Sequence, residues 1–71
     1  MEWEYIKEHD VYTLDSPIGR FNIHNLYQVK NIEFIGKYIG SEPDIDAAKE
    51  FVLQYLSLKL EELKSFLKLQ G

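Results

Sequence analysis

Between Pro43 and Gly71 the chain contains neither proline nor glycine, and FVLQYLSLKLEELKSFLKLQ, residues 51–70, repeats large apolar side chains at three- and four-residue spacing. Nothing in that stretch breaks a helix, so about 25 residues, or roughly 37 Å at 1.5 Å per residue, can be continuous. In a chain of 71 residues this one element sets the size of everything that packs against it. Its start is marked by SEPDID, residues 41–46. Asp44 is placed to accept from the free amides of the first turn, Pro43 ends the preceding extended segment, and Asp46 puts negative charge where the helix dipole favours it. Ser41 is a competing cap, with Pro43 then inside the first turn.

On a helical wheel of roughly 100° per residue, Ile45, Val52, Leu53, Leu56, Leu60, Leu63 and Leu67 share one sector. Ala47, Ala48, Phe51, Tyr55, Leu58, Phe66 and Leu69 occupy a second sector, offset by roughly 140°. The polar remainder is a narrow stripe: Asp46, Glu50, Gln54, Ser57, Glu61, Lys64 and Lys68. Ala47, Ala48 and Phe51 suit close packing on a sheet. Leu53, Leu56, Leu60, Leu63 and Leu67 follow the alternating spacing of a coiled-coil seam.

The first half alternates with a period of two, as half-buried strands do. In EWEYI, Trp3 and Tyr5 share one face, and in RFNIHNL, Phe21 and Ile23 share one. DSPIGR, residues 15–20, supplies turn chemistry through Pro17 and Gly19, which predicts a hairpin across 11–25. From Tyr27 to Gly40 the pattern reads as short strands YQV, IEF and YIG, with turns at Lys30-Asn31 and at Gly36-Lys37. Such strands run about 15–20 Å, so a sheet of them shelters only about half of the helix, and apolar side chains beyond Leu58 outrun it. Four exposed leucine or phenylalanine side chains offer about 6–12 kcal/mol on burial, before association costs.

The expected fold is therefore α+β: an N-terminal antiparallel β-meander of three to five short strands packed against one long C-terminal helix. Residues 1–71 make one domain, β-rich over 1–41 and helical over 44–69. The partner interface is expected at Leu53, Leu56, Leu60, Leu63, Phe66 and Leu67, in a homodimer or higher even oligomer or against a host or regulatory protein.

Composition narrows the function classes. Net charge is −4, with nine acids against four bases in residues 1–46 and three against four in 47–71. Such a balance disfavours general nucleic-acid binding. Arg20 is the one arginine beside seven lysines, so recognition of guanine or phosphate by several arginines is not on offer. The alternative to a protein-binding role is a DNA-binding accessory domain using the sheet, with Arg20, Lys30 and Lys37 near phosphates. Lysine over arginine, seven isoleucines and two alanines point to an AT-rich coding genome, bacterial or phage. The absence of cysteine fits a reducing compartment, no segment reaches the length of a membrane span, and Met1-Glu2-Trp3-Glu4 is acidic where a signal peptide is basic. A cytoplasmic, soluble protein is expected.

No cofactor or metal is expected, and no catalytic residue is assigned. His9, between Glu8 and Asp10, lacks the repeated helical spacing that makes ligand pairs specific and reads as a solvated turn histidine. His24 reads as an exposed strand position. Asp15, Ser16 and His24 hold the residue types of a hydrolytic triad, but no nucleophile elbow surrounds Ser16, which precedes Pro17 in a turn. Trp3, Tyr5, Tyr12, Tyr27 and Tyr38 divide between core against the helix and a contact surface. Glu2, Glu4, Glu8 and Asp10 form a solubilising acidic edge that also suits a basic partner surface.

YIGSEPDIDAAKEF, residues 38–51, is similar to the sheet-to-helix joint of small domains with a meander followed by one helix. These include the DNA-reading domains of plant ethylene-response factors and the arm-binding domains of tyrosine integrases. The likeness rests on caps and core positions and implies a local shape and no activity. Those families read DNA from a sheet rich in basic residues, where this chain has Arg20 and a few lysines.

Overall fold

Alternating apolar residues and closely spaced turn formers fold the first half into five strands. The computed structural model describes the chain from Glu2 to Gln70, with side chains as far as Lys68. The strands are β1 (Glu4–Ile6), β2 (Val11–Ser16), β3 (Gly19–Asn25), β4 (Lys30–Phe34) and β5 (Lys37–Glu42), and they pair antiparallel in chain order. One helix, α1 (Ile45–Gln70), follows. The meander and the single helix match the expected α+β architecture.

Each turn has a local cause. At the β2–β3 turn the Ser16 hydroxyl donates to the Gly19 carbonyl at 2.6 Å and accepts the Ile18 amide at 3.3 Å. Between β4 and β5 a two-residue turn places both Ile35 (φ 51°) and Gly36 (φ 75°) at positive φ, the mirror-image geometry that suits strand twist. Asparagine and glycine favour that geometry, whereas β-branched Ile35 carries strain in it. YQV, expected as a strand, is a loop, and Lys30-Asn31, expected as a turn, lies inside β4. The reason is register: Asn25 pairs with Lys30, so residues 26–29 must reverse the chain. The Lys30 ammonium holds that loop closed by donating to the Leu26 carbonyl at 2.6 Å.

The helix begins as its cap dictates. Asp44 Oδ1 accepts the Ala47 amide at 2.8 Å, while the competing Ser41 lies within β5. Ala48, Val52 and Leu56 then meet Leu14, Phe21, Ile23 and Ile32 of the sheet in one buried core. Ala48 comes from one of the two apolar sectors, Val52 and Leu56 from the other. The sheet thus covers the arc between the sectors, not either one. Phe51 lies directly on Gly40, where an added Cβ would stand 2.7 Å from the ring. Tyr55 packs edge-on to Phe21 at 5.8 Å and against Phe34 at 5.5 Å.

These contacts give the helix its direction. It starts beside the end of β5, crosses Gly40 through Phe51, reaches Phe34 through Tyr55, and leaves the sheet at the end that carries the β2–β3 and β4–β5 turns. The molecule measures 46 × 20 × 18 Å with a radius of gyration of 13.4 Å, against about 11 Å for a compact chain of this length.

Two substitutions test the packing. Gly40→Ala forces the Phe51 ring off the sheet and is expected to lower stability to urea by about 1–3 kcal/mol. Ile35→Asn relieves the turn and is expected to raise it by about 1 kcal/mol.

Candidate interaction surface

Burial along α1 stops abruptly. Leu56 is 4% exposed and Leu60 is half-buried against the core, whereas every residue from Glu61 to Lys68 is exposed. Of the six expected interface residues, Leu56 is thus a core residue of its own chain. It faces the sheet because Val52, four positions earlier, does. Leu53 is 48% exposed, Leu63 46%, Phe66 56% and Leu67 59%, and Leu58 joins them at 66%. Leu69, which the wheel places in the second sector, has its side chain outside the described ones. The heptad row that forms the core through Leu56 continues, uncovered, through Leu63 and Leu67.

The chain as a whole also exposes more surface than a compact one of its mass. The accessible area is 5296 Å², whereas a compact monomer of 8.4 kDa exposes about 4,600 Å². The difference, about 700 Å² of polar and apolar surface together, accompanies the elongated shape.

The other side of the sheet is polar. Glu4, Thr13, Asn22, Glu33 and Tyr38 form one row across it by register, and Ile6, Val11, His24, Asn31 and Ser41 the next. His24 Nε2 meets Glu33 Oε1 diagonally at 2.7 Å. Val11 and Thr13 are buried on this side.

The residues of the nucleic-acid alternative are not brought together. Arg20 lies on this polar side, bonded to Asp15 at 2.7 Å. Lys30 and Lys37 pair with Asn25 and Phe34, which places them at register positions on the helix side. Ser16 and His24 likewise sit at opposite ends of the β2–β3 ladder, five rungs or about 17 Å apart, since Ser16 pairs with Gly19 and His24 with Val11. They cannot share a proton. Among the described residues no group of three metal-ligating side chains converges, and no pocket opens on the surface.

Two arrangements lie beyond what spacing reveals. Asp10, at φ 51°, accepts from the Tyr5 hydroxyl at 2.7 Å and from the Asn25 amide at 3.1 Å, tying the β1–β2 turn to the end of β3. The Lys49 ammonium stands 5.8 Å from the Trp3 ring centre and 5.1 Å from that of Tyr12, a cation–π contact between the helix and the first strands. Tyr27 is almost fully exposed on its loop.

The chain matches no protein-family model, no curated protein and no solved structure.

The hydrogen bonds from Tyr5 and then Asn25 hold the Asp10 carboxyl below its ordinary 3.8, and Arg20 does the same for Asp15. Both aspartates are exposed, so each contributes modestly. A carboxyl lowered in the folded state adds stability above its ordinary value, lost as pH falls through the lowered one. Asp10→Asn is therefore expected to reduce stability at neutral pH and to flatten its decline below pH 3.8, read as urea midpoints against pH. Tyr5 is raised above 10.0 by the same hydrogen bond, so its share is lost only as strong alkali ionises it.

Proposed function

We propose that this chain is a non-catalytic protein–protein interaction domain that self-associates through the C-terminal half of its helix, serving as a small regulatory or inhibitory factor. The observation that carries the reading is the uncovered apolar row Leu53, Leu63 and Leu67, continuous with the core at Leu56, with Phe66 exposed on the helix's second apolar sector. Large apolar side chains exposed together on one helix half are costly in water and favour association. A second copy is the natural cover because one row serves both partners in a two-fold arrangement. Support also comes from what the reactive side chains do. Ser16 closes a turn, His24 bonds Glu33 across strands, and Asp10 joins two loops. Each is occupied in holding the fold.

Sedimentation equilibrium tests the reading. The wild type is expected to be dimeric at micromolar concentration, with little dependence on salt because the interface is apolar. Leu63→Glu and Leu67→Glu alter residues outside the core and are expected to yield folded monomers. A wild type that remains monomeric at hundreds of micromolar would contradict the proposal.

A further inference from the structure

We infer that the outer edge of β5 is a second association surface, which takes β5 of another copy in antiparallel register, with Lys37 of each copy opposite Glu42 of the other. This contact lies apart from the projecting helix half and goes beyond the association proposed above.

β1 and β5 are the two edges of the sheet, of three and six residues. Which backbone groups of β5 lie open follows from the ladder. The Ile35 amide donates to the Arg20 carbonyl of β3 at 3.0 Å, so by alternation Phe34, Ile32 and Lys30 bond toward β5. Their partners Lys37, Gly40 and Glu42 are thereby occupied. Tyr38 and Ser41 turn amide and carbonyl outward, and among the described residues no strand lies beyond them.

A regular strand of this length could not pair with itself end to end, because its first and last side chains face opposite ways. β5 is not regular. Ile32 pairs with Gly40 and Glu33 with Tyr38, which leaves Ile39 as an extra residue, and such a bulge shifts the alternation by one. Lys37 and Glu42 therefore share the helix side, opposite Phe34 and Lys30, while Tyr38 and Ser41 share the polar side, opposite Glu33 and Asn31. The order of faces reads the same from either end. Two copies related by a two-fold axis normal to the sheet, between Ile39 and Gly40, match face for face. The outward groups of Tyr38 then meet those of Ser41 on both sides of the axis.

Charge selects the occupant. Lys37 is exposed, and neither it nor Glu42 enters an ion pair among the described residues. The two-fold sets each lysine across from the other copy's glutamate, a favourable cross-strand pair made twice. The helices leave room for it. Because α1 lies over β3, β4 and β5, joined copies hold their helix axes about 14 Å apart, against about 8–10 Å for helices in direct contact.

The test uses chains carrying Leu63→Glu, so that the helix contact is removed and the edge is measured alone. Sedimentation equilibrium up to millimolar concentration is expected to show these chains dimerising. Adding Lys37→Glu, or Glu42→Lys, is expected to weaken the dimer about tenfold in each case. An equimolar mixture of the two reversed chains is expected to recover the affinity, since opposite charges then meet at both ends. Ser41→Pro, which removes an outward amide and none that β4 uses, is expected to abolish dimerisation while urea unfolding shows the fold retained. A Leu63→Glu chain that stays monomeric to millimolar concentration overturns the edge contact and leaves the helix contact standing. Dimers that neither the charge reversals nor their mixture alters overturn the register and with it the inference. A Leu63→Glu chain that dimerises as tightly as the wild type, and responds to the reversals, keeps the edge contact and overturns the helix one.

Discussion

The structure depends on a mismatch of lengths. A helix of 26 residues extends about 39 Å at 1.5 Å per residue, and the longest strand, seven residues, extends about 23 Å. The two lengths have separate origins. Strand length follows from turn formers, Pro17 and Gly19 at one end and Gly36 in the last hairpin, while helix length follows from the absence of any breaker after Pro43. No rearrangement of the strands lengthens the sheet enough to shelter Leu63, Phe66 and Leu67. The elongated shape and the surplus of accessible area follow directly.

Within the sheltered half the packing is close. The bare backbone of Gly40 admits Phe51, the small Ala48 lets the helix approach, and Phe21 is enclosed by Phe34 and Tyr55. At the end where the helix departs, Ile35 holds an unfavourable backbone conformation while 65% exposed. Its side chain lies over Gly19, whose added Cβ would come 2.7 Å from it. Glycine at that position is thus matched to the isoleucine opposite, and part of the strain is returned as contact with the hairpin.

Much of this was legible in the residues. The hairpin over 11–25 follows from Pro17 and Gly19 between alternating runs, and the helix start from Asp44 behind Pro43, because both signals are local. The loop at 26–29 was not, since Tyr27 and Val29 favour strands and only the pairing of Asn25 with Lys30 reveals that the chain must turn there. A helical wheel reports which residues share a direction, not which direction meets the sheet, so it cannot separate the core residue Leu56 from the exposed Leu63 and Leu67. The separation of Arg20 from Lys30 and Lys37 depends on strand register. Lys49 over Trp3 joins residues too distant in sequence for any spacing to signal.

A helix half without tertiary support is marginal in water, since helical stability in proteins comes mainly from packing of an apolar face. The backbone amides of Glu61 to Lys68 therefore report most directly on whether this overhang is covered. Hydrogen exchange across a dilution series should show their protection rising with protein concentration while that of β3 stays constant. Protection of those amides that is equal at every concentration, and as strong as in β3, would contradict the account.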